Sequence, residues 1–426
     1  MQTGAISPDV FLPMEITARE YSGHLLLAAE LAARGRTAVI GHKGSVIRVM
    51  ADAERPGLLF YKNARLAGWA EARRHVLVGL DPEAGIRYPD FGDFFAHRNV
   101  LSRDNPHLAQ FCFGPDDHSY LTSHFPDLAS TIHLTGAPRV SLWGADGDVF
   151  YERHGARIRE HYGDVILFAS AGGFKDAPLG PRRNVEETWA VTQYAQHFFD
   201  MARAATSLGA SVVVRPHPMD SWATWMSMAS EIPGLTVDST YDLSAWTRVA
   251  SAVVHPGTSS AAFEAVSAGT PAISTASNPT TNVATTLSHI ASSADELVEL
   301  LARAHAHDLA ALPSPEAGAV LRRKVLHPIE GAASRVADVL DEVIPFSGRS
   351  GLRRSARTRL RSLSRSMTRR RSVPRELGSA GPRPYKRDPL FLETVEQDVA
   401  SCLRILGRTD DVRVRELDEN CFALSL

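Results

Sequence analysis

Along this chain, short β-branched apolar runs alternate with longer stretches in which apolar residues recur at helical spacing. "VFLPMEI" (10–16) has the length and composition of a strand. In "REYSGHLLLAAELAARG" (19–35) the Leu and Ala residues recur every three or four positions and Gly35 closes the run, which predicts a helix. "TAVIG" (37–41), "GLLFYKN" (57–63), "HVLVGLD" (75–81) and "AQFCFG" (109–114) read as further strands, and "IHLTGAPR" (132–139) ends another. Strands alternating with helices imply βαβ units and a mostly parallel sheet.

A long helical pattern, "VFYERHGARIREHYG" (149–163), precedes a second series of the same kind. Its strands are "DVILFASA" (164–171), a run ending in "VVVRPHP", "LTVDS", "AVVHPG" and "PAIST" (271–275). Helices are expected over about 186–208, over "DLSAWTRVA" and over 258–268. The predicted fold is α/β, with two Rossmann-like halves facing across a cleft and a basic C-terminal extension. In open parallel sheets ligands sit beyond the carboxyl ends of the strands. The expected division is a first Rossmann-like domain over 1–163, a second over 164–345, an Arg-rich segment and linker over 346–388, and a small helix-and-strand segment over 389–426.

At 426 residues the chain is too long for one core. A hydrophobic share of 44% with 22% charged residues excludes a disordered or fibrous class. Cys112, Cys402 and Cys421 are far apart in sequence and form no CxxC pair. That argues against a disulfide framework or a zinc ribbon and fits a reducing compartment. The start, "MQTGAISPDVFLPMEI", has no basic stretch followed by an apolar core, so no signal peptide is expected. No apolar run approaches the roughly 18 residues of a membrane-spanning helix, and a cytoplasmic protein is expected.

Candidate chemistry gathers at strand ends. "VVVRPHPMD" delivers Arg215 and His217 to the carboxyl end of a buried strand, where Pro216 and Pro218 forbid its continuation. Arginine binds phosphate or carboxylate bidentately, and histidine donates a hydrogen bond or moves a proton. "VVHPGTSSAAFEAVSAG" repeats the His-Pro at His255, then turns through Gly257 into a helix with Thr258, Ser259 or Ser260 at its N-cap. A helix start with hydroxyls is an anion site, and Glu264 is placed to face a ribose or sugar hydroxyl. Capping and ion pairing are the structural alternatives for these residues.

In the first half, "LDPEAGI" sets Asp81 and Glu83 just beyond a strand. Two such carboxylates can serve as base, acid or nucleophile, although Asp-Pro followed by Gly is also a turn signal. "EITARE" places Glu15 and Arg19 at another strand end, with Thr17 and Glu20 spaced as a capping box. "GHKGS" (41–45) is a weak anion cradle, and a structural role is expected for Arg139 in "TGAPR". No residues have metal-ligand spacing.

In order and spacing, "EITARE", "LDPEAGI", "LTGAPR", "VRPHP" and "HPGTSSAAFEAVSAGTPAIS" resemble the bacterial surface carbohydrate biosynthesis proteins. These are similar to GT-B glycosyltransferases, with relatives among capsular β-Kdo transferases and bacterial sialyltransferases. The resemblance covers about 10–345. It implies a metal-independent transferase without a cofactor, taking a nucleotide-sugar, in particular a CMP-sugar, as substrate. It also implies that Asp81 or Glu83 supplies the catalytic carboxylate, that His217 is the His-Pro histidine, and that Ser259 and Ser260 hold the nucleotide. The sequence departs from the pattern at Pro82, where an acidic residue is expected, and at Ala84, where Gly is common.

Within the Arg-rich segment, Leu352, Ala356, Leu360, Leu363 and Met367 recur at steps of three and four. A basic helix with one apolar stripe reads as lying on an anionic membrane surface through 349–375. The expected protein is therefore a glycosyltransferase of cell-surface polysaccharide, peripheral on the inner face of the membrane, with a glycan or lipid-linked acceptor and no specific nucleic acid. The alternatives are a non-hydrolysing UDP-sugar 2-epimerase, a phosphotransferase using a CDP-alcohol, and a non-catalytic scaffold.

Overall fold

Strands form where the β-branched runs lie. β1 (Val10–Met14) and β2 (Ala38–His42) pair in parallel from Val10–Ala38 to Met14–His42, and every residue of β1 is buried. In the computed structural model the described residues are 8–53, 55–62, 70, 74–83, 86, 88–98, 101, 103, 107–170, 196–217, 220, 222–257, 259–275, 282–347 and 389–426. They divide into two compact units. The first comprises Met1–Asp81, Asn99–Phe111 and Ala333–Leu426, the second Pro82–Arg98 and Cys112–Ala332. Each unit is thus discontinuous in sequence, where the hydrophobic pattern alone predicted successive segments.

The first unit adds β3 (Leu58–Tyr61), β4 (Val76–Gly79) and β5 (Ala109–Cys112), with β3 parallel to β1 and β4 parallel to β3. The helix Thr17–Ala33 buries Leu25, Leu26, Leu27 and Leu31. Its capping differs from the expected box. Ile16, extended at φ −130°, is the N-cap and makes no side-chain cap, while Thr17 is already helical. Glu20 still reaches back, accepting the Glu15 N–H at 2.6 Å.

The C-terminal helix Leu392–Ile405 and a hairpin also belong to this unit. Labelling in chain order, the hairpin is β13 (Arg413–Asp418) and β14 (Cys421–Ser425), and β14 pairs antiparallel with β2. Gly41 is required by that pairing: a Cβ there would stand 2.3 Å from the Asn420 carbonyl oxygen and 2.7 Å from the Cys421 Cα. Buried Glu30 accepts from Arg34 Nε at 2.8 Å and from Arg408 Nη2 at 3.0 Å, and Arg34 also reaches Asp338 at 2.7 Å. One buried carboxylate so ties three helical segments together.

The second unit holds the short strand β6 (Ile132–Leu134) and a parallel sheet of β7 (Val165–Ala169), β8 (Ser211–Arg215), β9 (Leu235–Val237), β10 (Ala250–His255), β11 (Ala272–Ser274) and β12 (His289–Ile290). Its order is β12-β11-β10-β7-β8-β9. One face packs Phe168, Phe198, Phe199, Trp225, Leu297 and Leu301 into a continuous core. Each fully buried aromatic or aliphatic side chain there contributes about 1.5–3 kcal/mol from removal of apolar surface from water.

The helix expected over 149–163 is two helices, Ala145–Phe150 and Glu152–Tyr162, because Tyr151 leaves helical geometry at φ −94°, ψ 7° and Gly163 ends the second at φ +65°. Residues 196–208 of the helix expected over 186–208 are helical, whereas 186–195, and residues 348–388 of the Arg-rich segment and linker expected over 346–388, lie outside the described residues. Among the described residues, no helix is long and apolar enough to cross a membrane.

Candidate functional site

Parallel pairing brings the carboxyl ends of β7, β8, β10 and β11 to one edge of the second sheet. Ser170 follows β7, Arg215 and His217 end β8, and His255 ends β10.

The turn after β8 is closed by its own side chains. The His217 backbone N–H donates to Ser170 Oγ at 2.7 Å and to Asp220 Oδ2 at 3.1 Å. Ser170 Oγ donates to the same Asp220 oxygen, as does Trp225 Nε1 at 3.2 Å. Asp220 therefore gathers the ends of two strands and a buried indole around the backbone of half-buried His217.

Arg215 is buried and donates from Nη2 at 2.8 Å and from Nε at 3.3 Å to the Tyr241 carbonyl. The neighbouring Asp242 carboxyl is pushed up to about 6 by burial, a rise that the Arg215 charge and the Tyr151 hydroxyl oppose. Tyr151 donates to Asp242 at 3.1 Å. Arg215, expected to meet a ligand directly, here pins the loop after β9.

His255 is fully buried. Its Nδ1 accepts the Gly257 N–H at 3.1 Å and its Nε2 lies 2.7 Å from Ser288 Oγ, which itself donates to the Ala284 carbonyl. An accepting Nδ1 puts the proton on Nε2, and burial holds the ring's pKa down at about 4. The expected substrate contact at this ring is thus replaced by an internal one, because both nitrogens are taken up in shaping the turn. Gly257 occupies that turn at φ +88°, a left-handed conformation that glycine adopts without strain.

The turn opens the helix Ala261–Ser267. Ser259 Oγ accepts the Ala261 N–H at 3.1 Å, whereas Ser260 occupies the N-cap position without a side-chain cap. Thr258 lies outside the described residues. Glu264 is buried inside the unit rather than turned to a sugar hydroxyl: it accepts from Ser244 Oγ at 2.6 Å and is ion-paired with Arg139. Arg139 has the structural role expected for it and lies over the Trp143 ring at 5.3 Å.

In the first unit the carboxyl ends of β1, β2 and β3 carry Glu15, Lys43, Tyr61 and Lys62. Glu15 Oε1 accepts from Lys43 Nζ at 2.7 Å and from Tyr61 OH at 2.6 Å, and Oε2 is bonded by Lys62 Nζ. Half-burial alone would raise this carboxyl, but the hydrogen bonds from Lys43, Lys62 and Tyr61 outweigh it and bring the pKa down to about 2. Arg19 pairs with Glu20 at 2.9 Å. Asp81, 2% exposed, ends the first stretch of this unit just beyond β4, whereas Glu83 belongs to the second unit and is ion-paired with Arg98.

Sequence reading missed Ser170, Asp220, Lys62 and Tyr61. Asp220 stands in the quoted "VVVRPHPMD", and Lys62 lies near the end of the predicted strand 57–63, directly after the observed β3, so the signal was position at a strand end rather than any motif. Among the described residues, no three His, Cys, Asp or Glu side chains gather to hold a metal ion.

No family model matches this chain, and no curated protein matches it. Solved structures do. A variant of the wall teichoic acid polymerase TagF is 12% identical, covers 80% of this chain and 89% of its own, and gives a TM-score of 0.52. UDP-N-acetylglucosamine 2-epimerase from Rickettsia bellii is 10% identical, covering 81% of this chain and 99% of its own at a TM-score of 0.48. The calicheamicin glycosyltransferase CalG4 is 14% identical, covering 80% and 98% at 0.42. Together with one mixed, mostly parallel sheet and one parallel sheet, the likeness to the polymerase establishes an α/β fold of two Rossmann-like domains, of GT-B type.

Proposed function

We propose that the protein is a glycosyltransferase of cell-surface polysaccharide assembly, moving a sugar from a nucleotide donor to a glycan or lipid-linked acceptor. The observation that carries this reading is one sheet edge of the second unit, where the Ser170–Asp220–His217 turn and the Gly257–Ser259 helix start end neighbouring parallel strands. Ligands of open parallel sheets bind at such an edge, and helix-start N–H groups attract phosphate. In this reading the donor phosphate meets the helix start, and the His217 ring steadies it as it departs, where charge develops. Arg215 acts through the Tyr241 loop that it holds.

A CMP-sugar is the donor favoured by the resemblance of "VRPHP" and "HPGTSS" to the sialyltransferase-like pattern. Either Asp81 or Glu83 takes the proton of the acceptor hydroxyl, or attacks the sugar if configuration is retained. The reading invokes no metal or cofactor. Incubation with CMP-sugars and separation of products by mass tests it: a glycosylated acceptor formed only in the presence of acceptor supports it, and no product beyond the free nucleotide contradicts it.

The likeness to a wall teichoic acid polymerase favours a second reading, transfer of a polyol phosphate from a CDP-alcohol. Release of CMP from a CDP-alcohol, dependent on acceptor, selects it over sugar transfer.

A further inference from the structure

The geometry points to a phosphate-binding subsite at the carboxyl ends of β1, β2 and β3 in the first unit, built from Lys43 and Lys62, with Glu15 holding them in place. Three adjacent parallel strands deliver these side chains to one edge: β1 runs into Glu15, β2 into Lys43, and β3 into Tyr61 and Lys62. Such an edge is where open parallel sheets bind ligands.

Glu15 spends one oxygen on Lys43 and Tyr61 and the other on Lys62. Lys43 Nζ also donates to Tyr61 OH at 2.5 Å. An ammonium has three N–H groups, so these contacts use two of those on Lys43 and one of those on Lys62. The remaining donors stand on two ammoniums spaced by a single carboxylate. The cluster of two lysines and one glutamate carries an excess positive charge, with the lysine side chains 33% and 17% exposed. Glu15 is fixed in turn, since its backbone N–H is held by Glu20.

A carboxylate that only balanced one surface lysine would leave no excess charge. Here one carboxylate spaces two lysines so that together they face an anion, and a phosphate, with several acceptor oxygens, suits two point-charge donors. Glu15 is thus a positioning residue and the lysines are the ligand contacts. Assignment of the phosphate to an acceptor rests on the transferase reading, whereas the subsite itself does not.

Equilibrium dialysis of the full chain with radiolabelled inorganic phosphate tests the subsite, with glycerol 3-phosphate and CMP as competitors. Saturable binding that weakens at least tenfold in Lys43→Gln/Lys62→Gln is the expected result. Binding equal in wild type and that variant, or no binding by wild type, overturns the proposal. Displacement by glycerol 3-phosphate and not by CMP assigns the subsite to an acceptor, and displacement by CMP assigns it to the donor. Should the glutamine pair fail to fold, Lys43→Arg/Lys62→Arg keeps both charges and retains binding, and loss of binding in that folded variant overturns the proposal. A nucleotide-induced stabilisation measured on the same proteins separates the two ideas, because loss of phosphate binding with that stabilisation retained overturns the subsite and leaves the transferase reading standing.

Discussion

The Asp220 carboxylate accepts the backbone N–H of His217 at 3.1 Å, a bond that closes the turn after β8. The same oxygen takes the Ser170 hydroxyl and the Trp225 indole N–H. Asp220→Ala removes this acceptor from the Ser170 hydroxyl and the Trp225 indole N–H and leaves the His217 N–H to Ser170 Oγ, and a buried neutral group that loses its partner costs about 1–3 kcal/mol. Denaturant unfolding is expected to show a loss of that size, together with nucleotide affinity reduced at least tenfold. An unchanged affinity in the folded variant removes Asp220 from the site.

The two candidate catalytic carboxylates are separable from binding. Asp81→Asn or Glu83→Gln is expected to abolish transfer while the nucleotide-induced rise in melting temperature persists. Full activity in both variants rules out the assignment of either.

Two buried histidines set an acid limit on stability. Burial holds His107 and His255 near 4, below the ordinary 6.5. Both are neutral in the folded protein, whereas in the unfolded chain they take up protons below about 6.5. Their contribution is therefore complete above 6.5 and lost as pH falls towards 4, on the order of 3 kcal/mol each over that window. Glu15, held near 2, adds a loss only below about 4.5. The change in urea unfolding midpoint between pH 7.5 and 4.5 is expected to shift towards higher stability at pH 4.5 in His255→Asn relative to wild type. An equal slope in that variant contradicts the role of His255.

The C-terminal hairpin is predicted to be integral to the first unit. Gly41→Ala drives a methyl group into the Asn420 carbonyl, and Glu30→Ala removes the carboxylate that Arg34 and Arg408 share, so that Arg408 loses its tie to the helix Thr17–Ala33. Limited proteolysis after β2 substitution reads the outcome: early cleavage within 389–426 is expected, and unchanged protection contradicts it.

Much of the fold was legible because its strands are nearly uninterrupted apolar runs. β1 and β7 lie within the stretches predicted for them, and β8 and β10 overlap theirs to within one or two residues, since buried parallel strands carry no polar alternation to confuse the pattern. The destination of the C-terminal hairpin was not legible. "CFALSL" announces a strand, but nothing local says that it pairs with β2, hundreds of residues earlier. The candidate site divides the same way. His217 and Ser259 drew notice through their strand ends, whereas the contacts of Asp220, Lys43 and Lys62 are fixed only in the folded chain. His255 and Glu264 illustrate the converse, because residues with the chemistry of a ligand site are consumed by internal bonds.

The Arg-rich segment 349–375 is predicted to bind anionic vesicles, as polybasic segments gain about 1 kcal/mol per basic side chain near such a surface. Co-sedimentation with and without these residues checks it, and equal binding of both forms contradicts it.

The central claim is a nucleotide site on the second unit, and a thermal-shift series with CMP, CDP, UDP and GDP tests it most directly, because ligand binding to the folded state raises apparent stability. The account predicts a rise with a cytidine nucleotide that is lost in His217→Ala. No rise with any nucleotide in the well-folded wild-type protein contradicts it, and makes a non-catalytic scaffold the better description.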